Sequence, residues 1–260
     1  MKKQFQFIVT AFISVAIVSC SKQSVEKPVA SQAVNEEIST SSSSANARPS
    51  SDPLSVGLAG SYLFNGNLKD QTKKLADGVR NPLVRGGVGL YTYDRKGNAN
   101  SALKFDTKYY VTIANVPVQQ NMSLSVWVKR VTFPDQYSAP AIIRHNSTGF
   151  ALMQDEGGFW AQVHSFSDVL ATTSIYSGEM SDNNWHHIVI TYSNEYMELY
   201  IDNQFISKTS NIFNINVRST QYLLGYALGL GGKYWDGSID DLRFYNRTLT
   251  ASDVQKLYNL

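Results

Sequence analysis

Cysteine is almost missing from this chain: Cys20 is the one thiol in 260 residues. No disulfide can form within the chain, and no cysteine-based metal site can be assembled. Aromatic side chains are absent from Cys20 through Ser61, so nothing in that stretch can nucleate a core. An excess of charge of one sign is missing as well. The formal net charge is +2 and the later part of the chain holds no basic block, which argues against a nucleic-acid partner. No phosphate-binding loop and no Ser-His-Asp set can be built from local motifs.

What is present begins with an address. Lys2 and Lys3 precede an apolar run from Phe5 to Val18, broken only by Gln6, Thr10 and Ser14. The run is too short to span a bilayer comfortably and ends in small residues, as a signal peptide over 1–19 would. Ile17-Val18-Ser19-Cys20 resembles the bacterial lipobox, which implies cleavage before Cys20 and lipidation of its thiol and new amino terminus. Several acyl chains, at roughly 0.8 kcal/mol per buried methylene, anchor a protein stably where one chain does not. An ordinary signal peptide with an incidental cysteine is the plainer alternative. Ser21 is compatible with outer-membrane sorting, so the expected place is the cell envelope, facing the periplasm or the outside.

Residues 20–54 read as a tether. Ser39 to Ser44 is an unbroken hydroxyl run, and the apolar residues around it follow no period. Such composition does not offset chain entropy. An exported domain without disulfides relies on its core, and the roughly 200 residues that follow are enough to build one.

From Leu58 onward aromatic and β-branched residues rise, in short alternating runs between Gly, Asn, Asp and Ser clusters. Strands are expected near 60–64, 102–105, 110–113, 124–131, 141–145, 150–154, 159–165, 187–192, 197–201, 204–209, 222–224 and 237–245. Regular short strands with intervening turns predict an all-β sandwich or barrel. Only Ala251–Tyr258 reads as a helix, with Thr250 or Ser252 as its cap. Asp202-Asn203 supplies residues that tolerate positive φ at a hairpin turn.

Five blocks then carry a resemblance. They are Gly60–Asp70, Asp94–Asp106, Ser123–Lys129, Asn184–Tyr192 with Leu199–Asp202, and Trp235–Leu249. In order and spacing they resemble the laminin-G-like jelly rolls of the concanavalin A-like lectin/glucanase group, over essentially the whole of 55–260. The resemblance implies a two-sheet antiparallel jelly-roll β-sandwich with a short C-terminal helix. It also implies a structural Ca²⁺ near the rim, with Asp70 and Asp240 as candidate ligands, since hard oxygen ligands suit that ion. Lys73 and Lys74 depart from the family pattern beside Asp70, and either could displace the cation or replace it by a salt bridge.

Glucanases of this fold cut sugars with carboxylates on alternate positions of one strand, and this chain has no Glu-x-Asp-x-Glu. The nearest imitation, Glu198 and Asp202, lies four residues apart, ~13 Å along a strand. His186 and His187 look catalytic, but neighbours on a strand face opposite sides and do not readily share one metal. Trp127 and Trp185 read as core.

The positive signal is Phe159–His164. Phe159, Ala161 and Val163 claim the core, which leaves Trp160, Gln162 and His164 on the other side. On a concave sheet these form a sugar-like site, an aromatic plate beside hydrogen-bonding tips, which Tyr200 could join. The bland alternative is an outer-face tryptophan covered by a loop such as 166–178. The expected function is therefore a non-catalytic, membrane-anchored, monomeric binding protein. Its partner is a carbohydrate or, as an adhesin, a cell-surface protein; a glycoside hydrolase is disfavoured.

Overall fold

A computed structural model describes residues 52–260, apart from 83–89, 132–139, 147, 156, 167–169, 181, 211–214, 216–217 and 228–232. Cys20, the leader and the spacer up to residue 51 lie outside the described residues. The last residues assigned to the tether are structured: Pro53–Ser55 forms a 3-10 turn, the Asp52 side chain accepts from the Leu54 N–H at 3.0 Å, and Leu54 is buried.

The strands, in chain order, are β1 (Leu58–Tyr62), β2 (Val79–Pro82), β3 (Tyr91–Thr92), β4 (Ala102–Asp106), β5 (Tyr109–Val118), β6 (Met122–Arg130), β7 (Ala141–His145), β8 (Gly149–Gln154) and β9 (Phe159–Phe166). They continue as β10 (Leu170–Tyr176), β11 (Trp185–Tyr192), β12 (Tyr196–Ile201), β13 (Gln204–Ser210), β14 (Arg218–Leu224), β15 (Tyr226–Ala227), β16 (Lys233–Tyr234) and β17 (Asp236–Tyr245), before helix α1 (Ala251–Tyr258). Two antiparallel sheets face each other. One has eight strands, in the order β13-β12-β11-β6-β17-β4-β3, with β1 pairing the later half of β17. The other has seven, in the order β10-β9-β8-β7-β14-β5-β2. Neighbours distant in sequence, such as β6 with β17 and β14 with β5, give the jelly-roll path.

Period-2 alternation sets the core. Leu124, Val126 and Val128 of β6 meet Phe159, Ala161 and Val163 of β9 in one buried cluster with Phe105, Phe150, Tyr222, Trp235 and Phe244. Trp235 satisfies its indole by donating to Gln154 Oε1 at 2.6 Å. Gly237 permits this packing: a Cβ there would sit 2.3 Å from the Trp235 ring and 2.6 Å from the Lys129 carbonyl. Asp202 and Asn203 take φ of 50° and 64°, the two positive values that a two-residue hairpin turn demands.

A second, smaller cluster lies on the outward face of the eight-stranded sheet. Leu249, Val254 and Leu257 of α1 and its approach pack with Leu54, Val189, Tyr200 and Tyr245. Thr250 caps α1 through a capping box with Asp253, and Arg247 binds the Asp253 carboxylate at 2.7 Å.

Candidate functional site

The stripe on β9 faces away from the core, as its alternation requires. Phe159, Ala161 and Val163 are fully buried, whereas Trp160 and Gln162 are half-buried on the outward face of the seven-stranded sheet. Cross-strand register places Ala141, Met153, Trp160 and Tyr176 in one row. The Trp160 and Tyr176 rings lie 5.0 Å apart. Asp155 fixes the plate. Its Oδ2 accepts from Trp160 Nε1 at 2.6 Å, while Oδ1 accepts from the N–H groups of Gly157 and Gly158. The segment expected to cover Trp160 as a loop contributes a strand instead: β10 pairs with β9 and brings Tyr176 to the indole.

The next row across this sheet runs Leu223, Arg144, Ala151, Gln162 and Ser174. Gln162 Oε1 meets His164 Nε2 at 3.0 Å, and His164 Nδ1 meets Thr172 Oγ1 at 3.2 Å. Burial, aided by the Arg144 charge, lowers the His164 pKa to about 4, so its ring is neutral near pH 7. A tryptophan edge, an amide, a guanidinium and hydroxyls thus share one face. The chemistry is that of a site for a polyhydroxylated ligand: a ring to stack on and directional polar groups beside it. Arg144, Tyr176 and Asp155 are members that the sequence reading did not nominate.

Tyr200 does not join them. It lies on β12, in the other sheet, packed beneath α1 with Val189 and Leu249, and its hydroxyl donates to Glu198 Oε2 at 3.0 Å. Alternation gave the correct side of its own strand, but that side belongs to the opposite outer face of the sandwich.

The two carboxylates proposed for calcium are already engaged. Asp70 accepts five hydrogen bonds: from the backbone N–H groups of Ser61, Thr72, Lys74 and Leu75, and from the Thr72 hydroxyl. A carboxylate offers about four lone-pair sites, so nothing remains for a cation. Neither lysine replaces the ion; Lys74 Nζ reaches the Leu58 carbonyl at 2.6 Å. Asp240 is held by Arg95 at 2.6 Å, and the same guanidinium takes Asp241 at 2.8 Å. Asp241, at φ 48°, sits where β17 slips register against β6, which lets both carboxylates reach Arg95. This donor set does not fit Ca²⁺, and among the described residues no group of three or more His, Cys, Asp or Glu could hold a metal ion. A melting curve recorded in EDTA is expected to overlay the curve without it; a drop of several degrees would reveal a cation bound elsewhere.

Residues 105–255, more than half of the chain, match the concanavalin A-like lectin/glucanases superfamily. The chain belongs to that superfamily. Among solved structures, domain 4 of AbnA, an extracellular arabinanase from Geobacillus stearothermophilus in complex with arabinotriose, aligns with a TM-score of 0.58 at 20% identity. It covers 77% of this chain and 98% of that domain. The binding domain of botulinum neurotoxin DC in complex with SialylT aligns with a TM-score of 0.62 at 14% identity, over 79% of this chain and 52% of that one. The same toxin domain with rat synaptotagmin II gives 0.62 and 14%, over 78% and 51%. The chain thus spans about half the length of the toxin domains, and at these identities the likeness is one of fold. No curated protein matches.

In this lectin/glucanase-type sandwich the outward face of the eight-stranded sheet holds a second aromatic group. Trp127, expected in the core, lies on that face with 8% exposure, stacked on Tyr258 of α1 at 5.4 Å and capped by the Arg95 guanidinium at 4.7 Å. Its strand sends Leu124, Val126 and Val128 into the core and Ser123, Ser125 and Trp127 to the outer face, where all three are still buried. Trp185, also expected inside, is half-exposed and lines a hollow of about 490 Å³ with Trp127, Tyr258 and Arg95.

The histidine pair divides as the pleat dictates. His187 is buried against Ser125 Oγ at 2.9 Å, and burial, reinforced by Arg243, lowers its pKa to about 3. His186 bridges Asp202 at 2.6 Å and Asp182 at 2.7 Å, and the bond to Asp202 leads the forces that raise its pKa. The folded pKa exceeds the unfolded value of about 6.5, so the stabilisation is complete below that pH and is lost as pH rises through the raised value. Thermal melts are expected to show a Tm falling by about 2–4 °C between pH 6 and pH 8.5. His186→Gln should flatten the upper part of that decline.

Proposed function

We propose that this chain is a membrane-anchored lipoprotein of the cell envelope whose jelly roll binds glycan without cleaving it. The outward face of the seven-stranded sheet is the binding surface. One observation carries the reading: Trp160 is a half-exposed plate, fixed from its edge by Asp155 and flanked in register by Gln162 and Arg144. Aromatic plates with hydrogen-bonding neighbours hold sugars by stacking on their C–H faces while polar groups fix the hydroxyls. The solved arabinanase domain in complex with arabinotriose and the toxin binding domain in complex with SialylT lend this support, since both hold their ligands on the same fold. The sequence's two spaced carboxylates are engaged elsewhere, Glu198 with the Tyr200 hydroxyl and Asp202 with His186, which favours binding over hydrolysis.

Anchoring rests on Ile17-Val18-Ser19-Cys20 and the hydroxyl-rich spacer after it. Labelling with a clickable fatty acid is expected to mark the wild-type chain and not Cys20→Ala. A glycan array probed with the purified domain tests the binding. Retention on at least one glycan class is expected; attachment to a protein surface with no glycan bound would turn the reading to an adhesin. Sugar release from a polysaccharide panel would overturn its non-catalytic part.

A further inference from the structure

Arg144 stands out on the outward face of the seven-stranded sheet. Its guanidinium carries five N–H donors, and among the described residues its one side-chain hydrogen bond is Nη1 to the Met153 sulfur at 3.7 Å, a weak acceptor. Burial lowers its pKa, and among the described residues no carboxylate forms an ion pair with it. Asp155, on the same side of the sheet, is taken up by the Trp160 indole and its own turn. Two other enclosed arginines do hold acids: Arg95 binds Asp240 and Asp241, and Arg247 binds Asp253. A half-buried cation without a counter-charge is costly to maintain, so a native protein that keeps one has a use for it.

Its position says what that use is. Arg144, Ala151, Gln162 and Ser174 occupy four adjacent strands in register, a line of roughly 14 Å at the usual strand spacing. The row of Met153, Trp160 and Tyr176 runs beside it. Ala151 keeps the middle of the polar line low, with the guanidinium at one side and the amide and hydroxyl at the other. His164, whose pKa is lowered partly by the Arg144 charge, is close enough to feel the guanidinium yet stays neutral. Arg144 is therefore the one charged member of its row, and it stands apart from the Asp155 carboxylate, which the Trp160 indole and its own turn engage.

We infer that the ligand of this face is an acidic glycan, and that Arg144 pairs with its sugar carboxylate while Trp160 stacks on a ring. The inference rests on the proposed glycan-binding role of the face and narrows its ligand class. A planar guanidinium fork matches a planar carboxylate through two parallel hydrogen bonds, which a lysine cannot reproduce.

Affinity electrophoresis in gels containing polygalacturonate, its carboxyl-reduced counterpart, polysialic acid, neutral arabinan or dextran sulfate tests this directly. Uronate and sialate sources are thereby separated. The wild-type domain is expected to be retarded by at least one carboxylated polymer. Arg144→Gln should weaken that retardation at least tenfold, Arg144→Lys should recover only part of it, and neither variant should lower the wild-type Tm. Equal binding to the carboxyl-reduced polymer, or an Arg144→Gln variant indistinguishable from wild type, overturns the inference. Arginine-dependent binding to dextran sulfate as tight as to any carboxylate also overturns it. Retention by arabinan alone leaves the glycan-binding reading standing and removes the acidic ligand; no retention by any polymer removes both.

Discussion

Replacing Trp160 by alanine is expected to abolish most glycan retention while leaving the domain folded. The indole is half-exposed, and the residues that build the core on its strand, Phe159, Ala161 and Val163, are untouched by the change. Loss of a central aromatic anchor commonly costs about 2 kcal/mol of binding, close to thirtyfold in Kd. Some packing against Met153 and Ala141 goes with it, so a Tm lower by a few degrees is compatible with the expectation. Trp160→Phe keeps a ring but loses the bond to Asp155 and should fall between the two. Affinity gels and melting curves on the same preparations separate the effects. Wild-type retention by the alanine variant would move the binding surface off this face.

The second large effect concerns Asp70→Ala, and it is one of stability. The carboxylate gathers the Ser61 N–H of β1 together with three backbone N–H groups and one hydroxyl from the segment over 72–75. Its hydrogen bonds with Thr72, Leu75 and Ser61 outweigh its burial and hold its pKa below the usual carboxylate range. Removing it strands several partly buried donors at once, each worth about 1–3 kcal/mol when left without a partner, and the summed loss should reach about 3–5 kcal/mol. For a domain of this size that is a fall of roughly 10 °C or more in Tm. Asp70→Asn retains one acceptor oxygen and should lose less. A change of under 2 °C in the alanine variant would show that water replaces the carboxylate.

Much of the architecture was legible because period 2 is easy to read. The expected strands at 141–145 and 159–165, and the helix over Ala251–Tyr258, match the structure to within a residue. Strands β2 and β10 were missed for a physical reason. Val79-Arg-Asn-Pro has no alternation and lies on a sheet edge, where proline is tolerated; Leu170–Tyr176 is also an edge strand, and its central Thr172-Thr173-Ser174 run breaks the apolar alternation. For the site, alternation found Trp160, Gln162 and His164. It states which side of its own sheet a residue occupies, not which sheet that is, so Tyr200 was grouped with them although it belongs to the other. Arg144 stayed hidden in Ala141–His145, where an irregularity between Ala141 and Ile143 breaks the simple alternation. Asp70 was a visible carboxylate, but its partners are main-chain N–H groups, which no side-chain pattern discloses.

Leu54 lies buried with Val254 and Leu257 of α1, against the outward face of the eight-stranded sheet. The polypeptide therefore comes into the domain on the side of the sandwich opposite Trp160. A force applied at Asp52 would be borne first by Leu54 and α1, on the helix-covered sheet, and would reach the strands that carry Trp160 only through the core.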